Sequence, residues 1–193
     1  DAFEIGGMLI SAPVKGGQIR YMGVKVESPV DDYGAMETID YAHHEIHEGN
    51  MFHAEYLFAG VANNGNADIL MTTGANECHA VFGVAAGGNV RAYLHETPDA
   101  SGGTAVTAYN VKRNSAGTAT AAVTQTPTVG GVGTVALVSR FVPGGNSPNS
   151  RIGGGTRTGN EWILKGSTEY LIRVTNVSGS AADISIALEW YEE

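Results

Sequence analysis

The chain has one cysteine, Cys78, among 193 residues. An intrachain disulfide is therefore excluded, and the fold must be held by its core. Cys78 itself lies in the apolar stretch CHAVFGVAA and is expected as a small buried hydrophobe. Charge is scarce too, at 16% against a usual ~25%. Much of the surface is then expected to be neutral and polar, or buried against another chain. Basic residues are the scarcer sign: 11 Lys and Arg face 20 Asp and Glu, for a net charge of -9. That balance argues against nucleic-acid binding, which needs a basic footprint. No run of 18 apolar residues occurs, so no helical membrane span is expected. The residues from Asp1 onward do not follow the pattern of a signal peptide.

Acids are missing altogether between Asp99 and Glu161, where Lys112, Arg113, Arg140, Arg151 and Arg157 stand. Residues 1–60, by contrast, hold ten acids and three bases. Loop composition and chance explain such a split. So do complementary surfaces that meet between subunits or with a partner.

Glycine is abundant, 27 residues, about twice the ~7% average, and threonine is plentiful. Glycine in turns with threonine in strands is the composition of a β-rich fold. The apolar residues repeat with period two. In DISIALEWY, Ile184, Ile186, Leu188 and Trp190 share one face, as expected of a half-buried strand. TEYLIRVTNV, YMGVKVE and NVRAYLHE repeat the pattern, TATAAVTQT is β-rich by its threonines, and ADILMTT and GTVALVSRFV read as more buried strands. Turn signals at 63–66, 87–89, 101–103, 130–133 and 178–180 separate them. Many short, evenly spaced strands predict an all-β, single-domain, jelly-roll-like antiparallel β-sandwich. Residues 39–193 form the sandwich. Residues 1–38 differ in texture and are an N-terminal extension, either an arm or the first strands.

A convincing helical period is absent; the nearest approach is 36–48. The longest irregular segment is 143–160, which carries Arg151 and Arg157 and no acid. A loop of that length is usually functional or disordered. Its GGG at 153–155 lacks the GK[ST] and following helix of a phosphate cradle, so contact with a neighbouring chain is the expectation.

The most unusual stretch is YAHHEIHEGN, 41–50, with three of the six histidines. A zinc protease needs H-E-x-x-H on a helix. Here Glu45 falls between His43 and His47, and the motif fails. As a strand, His43, Glu45 and His47 share a face with Tyr41, while His44, Ile46 and Glu48 share the other. Two histidines so placed, His43 and His47, are candidate metal ligands. A histidine–carboxylate network at a strand edge or subunit contact is the blander reading. On that reading, acidification below the ordinary imidazole pKa of about 6.5 is expected to perturb assembly.

Catalysis finds little footing. Cys78 and His79 are adjacent, and adjacent strand residues point to opposite faces. No serine sits in G-x-S-x-G. The carboxylate pairs Asp31-Asp32 and Glu192-Glu193 read as a turn and a tail rather than a converging glycosidase pair. No enzyme and no cofactor is expected.

Three segments carry a resemblance: IDYAHHEIHEGNMF (39–52), AVTAYNVKRNSAGTATAAVTQTPTV (105–129) and RTGNEWILKGSTEYLIRVTNVSGSAADISIALEWYEE (157–193). They resemble a family of virion structural proteins widespread among tailed bacteriophages. Its pattern runs from an H-H-E-I-H strand, through an N-R-N-S-like turn and a threonine-rich strand, to the ending N-E-x-I-L-K…Y-L-x-R-V-T-N…W-Y-E. The resemblance spans roughly residues 39–193. It implies a head decoration (cement) protein, a homotrimer on the capsid exterior whose partner is the major capsid protein, with no nucleic acid and no membrane. It also implies that an N-terminal arm docks on the shell. The competing implication is a tail- or fibre-associated β domain that recognises host-surface glycan. Sugars stack on exposed aromatics, and Trp162 and Trp190 are both expected in the core. Interface candidates are Tyr41, His43, His44, Glu45, His47, Arg113, Arg140, Arg151 and Arg157, with Tyr33 among exposed tyrosines.

Overall fold

A computed structural model describes residues 41–133, 135–144 and 161–192. One short helix, α1 (Tyr41–Glu48), precedes thirteen strands. In chain order these are β1 (Met51–Val61), β2 (Asn66–Thr72), β3 (Cys78–Ala86), β4 (Val90–Glu96), β5 (Asp99–Ser101), β6 (Thr104–Ala105) and β7 (Tyr109–Asn110). They continue with β8 (Ala122–Gln125), β9 (Thr128–Gly131), β10 (Val135–Val142), β11 (Trp162–Leu164), β12 (Glu169–Asn176) and β13 (Ala182–Glu192).

The strands form two main antiparallel sheets, ordered β11-β3-β13-β1-β7 and β10-β4-β12-β2-β8-β6. The chain alternates between them through β1, β2, β3 and β4, and again through β10, β11, β12 and β13. The two halves also pair strand for strand: β1 with β13, β2 with β12, β3 with β11 and β4 with β10. That is a long hairpin wrapped into two facing sheets, the jelly roll expected from the sequence. Alternation places the core as predicted. Ile184, Ile186, Leu188 and Trp190 of β13 are buried against Ile69 and Met71 of β2 and Tyr170, Ile172 and Val174 of β12 in a single cluster. Trp162 packs against its edge. Cys78 is buried, and burial, helped by the charge of Glu192, pushes its thiol up to about 12.

The connection between β4 and β10, at the hairpin's apex, holds β5 to β9. Its strand β7 extends the first sheet beside β1, and β8 and β6 extend the second beside β2. β5 and β9 pair with each other. Yet they follow, after only two residues, from β4 and β8, which β12 and β2 keep apart. The ribbon must therefore cross those two strands. Its ends confirm the path. A Cβ on Gly103, beyond β5, would lie 2.6 Å from the Gln125 carbonyl oxygen of β8. One on Gly133, beyond β9, would lie 2.6 Å from that of Glu96 in β4. The core side is already filled by the first sheet, so the ribbon lies outside. Beneath it, Leu70 and Leu171 point away from the core and are still only 5% and 0% exposed.

Residues 41–48 correct the sequence reading. They were expected as a strand, and they form a helix. The cause is local. Gly49 adopts φ +83°, the left-handed conformation that side chains disfavour. Its N–H donates to the Ile46 carbonyl at 3.1 Å, and the Asn50 N–H donates to that of Glu45 at 3.0 Å. These two bonds close a Schellman cap. The Lys112 ammonium adds a bond of 2.6 Å to the His47 carbonyl, where the helix dipole favours a cation. The threonine-rich stretch is also shorter as a strand than expected, confined to Ala122–Gln125. The 1–38 extension with Tyr33, and most of 143–160 with Arg151 and Arg157, lie outside the described residues.

Candidate interaction surface

The outward face of the first sheet is built by strict alternation. On β1, Phe52 and Ala54 enter the core, so His53, Glu55 and Leu57 face out. On β13 the outward set is Asp183, Ser185, Ala187, Glu189 and Tyr191, and on β3 it is His79, Val81, Gly83 and Ala85. β7 adds Tyr109 opposite His53, and β11 adds Ile163 opposite His79. Small residues occupy the middle, around Ala187 and Gly83. Larger ones stand at the rim: Leu57 is 58% exposed and Tyr109 54%.

The helix closes one end of this face. Its Tyr41 ring meets that of Tyr191 edge-on at 5.9 Å, and Tyr191 stacks on His79 at 4.5 Å. Glu45 is the buried acid of the helix. Burial works against its charge. Hydrogen bonds from Asn50 (2.8 Å), His44 and Tyr41 outweigh that and hold its pKa below the ordinary value. Asn110 ties the helix end to the apex connection: its amide donates to the Gly49 carbonyl at 2.6 Å, and its oxygen accepts the Lys112 N–H at 2.9 Å. The turn that follows carries Arg113, whose guanidinium lies 5.3 Å from the centre of the Tyr109 ring.

The sequence-derived candidates thus divide. Tyr41, His43, His44, Glu45, His47 and Arg113 share one corner, brought together by α1 and the turn at 112–115. Arg140 does not join them; it sits on β10, the outer strand of the other sheet. His44 interacts along its own helix, 3.3 Å from Glu45 and 3.9 Å from Glu48. His43 and His47 are one helical turn apart, with their Nε2 atoms 3.0 Å from each other. No group of three or more His, Cys, Asp or Glu suited to a metal occurs among the described residues.

Sequence reasoning placed none of His53, Leu57, Tyr109 and Ile163 on a contact surface. The alternation in MFHAEYLFAGV was the signal for the first two. The others sit on strands of two and three residues, too short for a period to register.

The face is acidic. Glu55, Asp183 and Glu189 point outward, and no Lys or Arg occupies an outward position on its described strands. His53 lies 3.8 Å from Glu55 and 3.7 Å from Glu189. The basic groups, Lys112 and Arg113, stand only at the helix corner. A broad, shallow face with aromatic and aliphatic rim residues suits contact with another macromolecule better than enclosure of a small one. Comparison with family models, with curated proteins and with solved structures returned no match.

Proposed function

We propose that this chain is a non-enzymatic bacteriophage head decoration (cement) protein that binds the outer surface of the assembled capsid as a homotrimer. Two things support the reading: the segments described above that resemble virion structural proteins, and the outward face of the first sheet. The face is the observation that carries it. Of the five exposed large hydrophobics among the described residues, four (Tyr41, Leu57, Tyr109 and Ile163) lie on that side and only Phe141 elsewhere. Exposed apolar groups around the rim of one face favour that face as the contact surface. Aromatic and arginine anchors such as Tyr109 with Arg113 are the expected centres of binding energy.

The mechanism is linkage. A protein that binds the assembled lattice and not the free subunits stabilises the assembly, by about 2.7 kcal/mol per site at a hundred times Kd. The test is binding of the purified chain to undecorated mature heads, with copies counted per capsid and shell melting followed. Saturation at a fixed lattice stoichiometry and a raised capsid melting temperature are expected, both lost in the double variant Leu57→Lys, Tyr109→Ala. Absence of head binding, with attachment to tails or host cells instead, overturns the proposal in favour of a glycan-recognising tail or fibre domain. Both tryptophans already pack in or against the core, so the exposed aromatics such a domain would offer among the described residues are Tyr41, Tyr109 and Phe141.

A further inference from the structure

We propose that His43 and His47 form a two-histidine chelate for a divalent late transition metal, with Cu2+ preferred. The helix, and not the strand expected from the sequence, brings the two candidates together. At i, i+4 both imidazoles stand on one face of α1, a turn apart. Their rings are 4.8 Å apart, and their Nε2 atoms converge to 3.0 Å. Both side chains are exposed, so an ion reaches them without any movement of the fold.

The ligands narrow the metal. Imidazole nitrogen suits Zn2+, Cu2+ and Ni2+, and the Irving–Williams order places Cu2+ highest. The 3.0 Å between the two Nε2 atoms is the length of the hydrogen bond that joins them, and the pair opens slightly around an ion bound at about 2.0–2.1 Å from each.

The surroundings agree in charge. The helix carries Glu45 and Glu48 and no Lys or Arg. The cation beside it, Lys112, is committed to the His47 carbonyl. In the metal-free protein one Nε2–H donates to the other Nε2. Uptake of the ion needs both lone pairs, so that proton passes through solvent to Nδ1 of its own ring. The ion's remaining positions hold water. The chelate also bridges the last turn of α1 and adds to the Gly49 cap. This inference does not rest on the decoration reading, and no outcome of its test bears on that reading.

The experiment uses the full 193-residue chain without an affinity tag. Cu2+, Ni2+ and Zn2+ chlorides are titrated by calorimetry, and retention on Ni2+-loaded resin is measured alongside. Binding of one ion per chain is expected, tightest for Cu2+, reversed by EDTA. His43→Ala and His47→Ala should each weaken it on the order of a hundredfold, since the second ligand acts at the effective concentration of a tethered group. His44→Ala and His53→Ala should leave it unchanged. Far-UV circular dichroism confirms that each variant is folded, as expected for exposed side chains. The inference is overturned if the wild-type chain does not bind below millimolar Cu2+. It is equally overturned if either single variant binds as tightly as the parent, or if His53→Ala is the change that abolishes binding.

Discussion

Glu192, near the end of β13, holds the apex connection to the core, and its replacement by glutamine isolates the contribution of its charge. The Thr120 N–H donates to both carboxylate oxygens at 3.0 Å, and the Thr120 hydroxyl donates to one at 2.5 Å. The Ala121 N–H and the Trp190 indole N–H each donate at 3.0 Å. Burial works to raise the carboxyl pKa, but the bonds from Thr120, Ala121 and Trp190 outweigh it and hold it below its ordinary value. Hydrogen bonds to a charged group contribute about 1.5–3 kcal/mol each, and neutral ones about 0.5–1.5. Glu192→Gln keeps the shape and one acceptor oxygen and turns about three charged bonds into neutral ones. That is a loss of ~3–4 kcal/mol, reduced to ~2–3 by the partial exposure of Glu192 to solvent. In a domain of this size each kcal/mol lowers Tm by about 2–4 °C. The pH dependence supplies a second readout with a fixed sign. Because the folded pKa is depressed, the stabilisation is complete above the unfolded value near 4.5 and is lost as pH falls through the folded one. Wild type and variant should differ fully at pH 7 and converge in acid, where wild-type Glu192 is itself neutral. Urea unfolding from pH 7 to pH 3 measures this, with amide exchange at Thr120 and Ala121 as the local probe. A difference that stays constant with pH, or one below about 0.5 kcal/mol with unchanged protection at both amides, would refute the reasoning.

His95 lies in the row beneath the β5–β9 ribbon, 8% exposed, and its Nδ1 has no hydrogen-bond partner among the described residues. Burial, then the Arg173 charge on β12, lowers its pKa against the opposing charge of Asp68 on β2. Stability from this site is then whole above the unfolded value of 6.5 and declines as pH falls below it, by at most ~1.4 kcal/mol per pH unit. His95→Leu should flatten that slope in denaturant titrations between pH 7 and 5; an unchanged slope assigns it elsewhere. Cys78, with its thiol near 12, should resist iodoacetamide at pH 8 in the native protein and react once urea unfolds it. Native labelling at the rate of a free thiol would contradict its burial.

The legibility of the fold tracked how one-sided the burial is. β13 was readable because one face is entirely core and the other open as far as Glu189, so DISIALEW alternates cleanly, and only Tyr191, covered by Tyr41 and His79, departs from it. β2 and β12 alternate less, with ILM and YLI buried in succession. Such runs announce a strand covered on both faces. They do not name the cover, which is set by a pairing between β5 and β9, 27 residues or more apart in the chain. The helix was hidden for a different reason. Its ring contact with the sheet rests on Tyr41, its one buried side chain is a glutamate, and its stability draws on Gly49 and on Lys112, 65 residues away from the carbonyl it meets. A polar segment with a cap of that kind carries no apolar period to detect. The histidine pair was legible all the same, since residues four apart share a face on a strand as well as on a helix; what stayed hidden was the turn-to-turn contact between the two rings.

The apex connection does more than join two strands. Its ribbon closes the outward face of the second sheet over Leu70 and Leu171. Its strand β7 covers the β1 edge of the first sheet at Phe52 and His53, and β8 and β6 extend the second sheet beyond β2. Its turn at 112–115 braces α1. Pairing with other chains, a standing hazard of exposed edges, is thereby blocked over part of that side. Among the described residues the outward face of the first sheet, the β1 edge beyond His53, and the β10 and β11 edge stay open. The β11 edge is only three residues long, and β10 carries Arg140 on its exposed course. Short strands and edge charges both discourage strand addition. The remaining broad surface is the acidic, aromatic-rimmed face bounded by Tyr41, Leu57, Tyr109 and Ile163. On the proposed reading the capsid meets side chains there, so substitutions at Leu57 and Tyr109 are expected to weaken head binding, whereas those at Leu70 and Leu171 are expected to loosen the ribbon, read as faster amide exchange in β5 and β9.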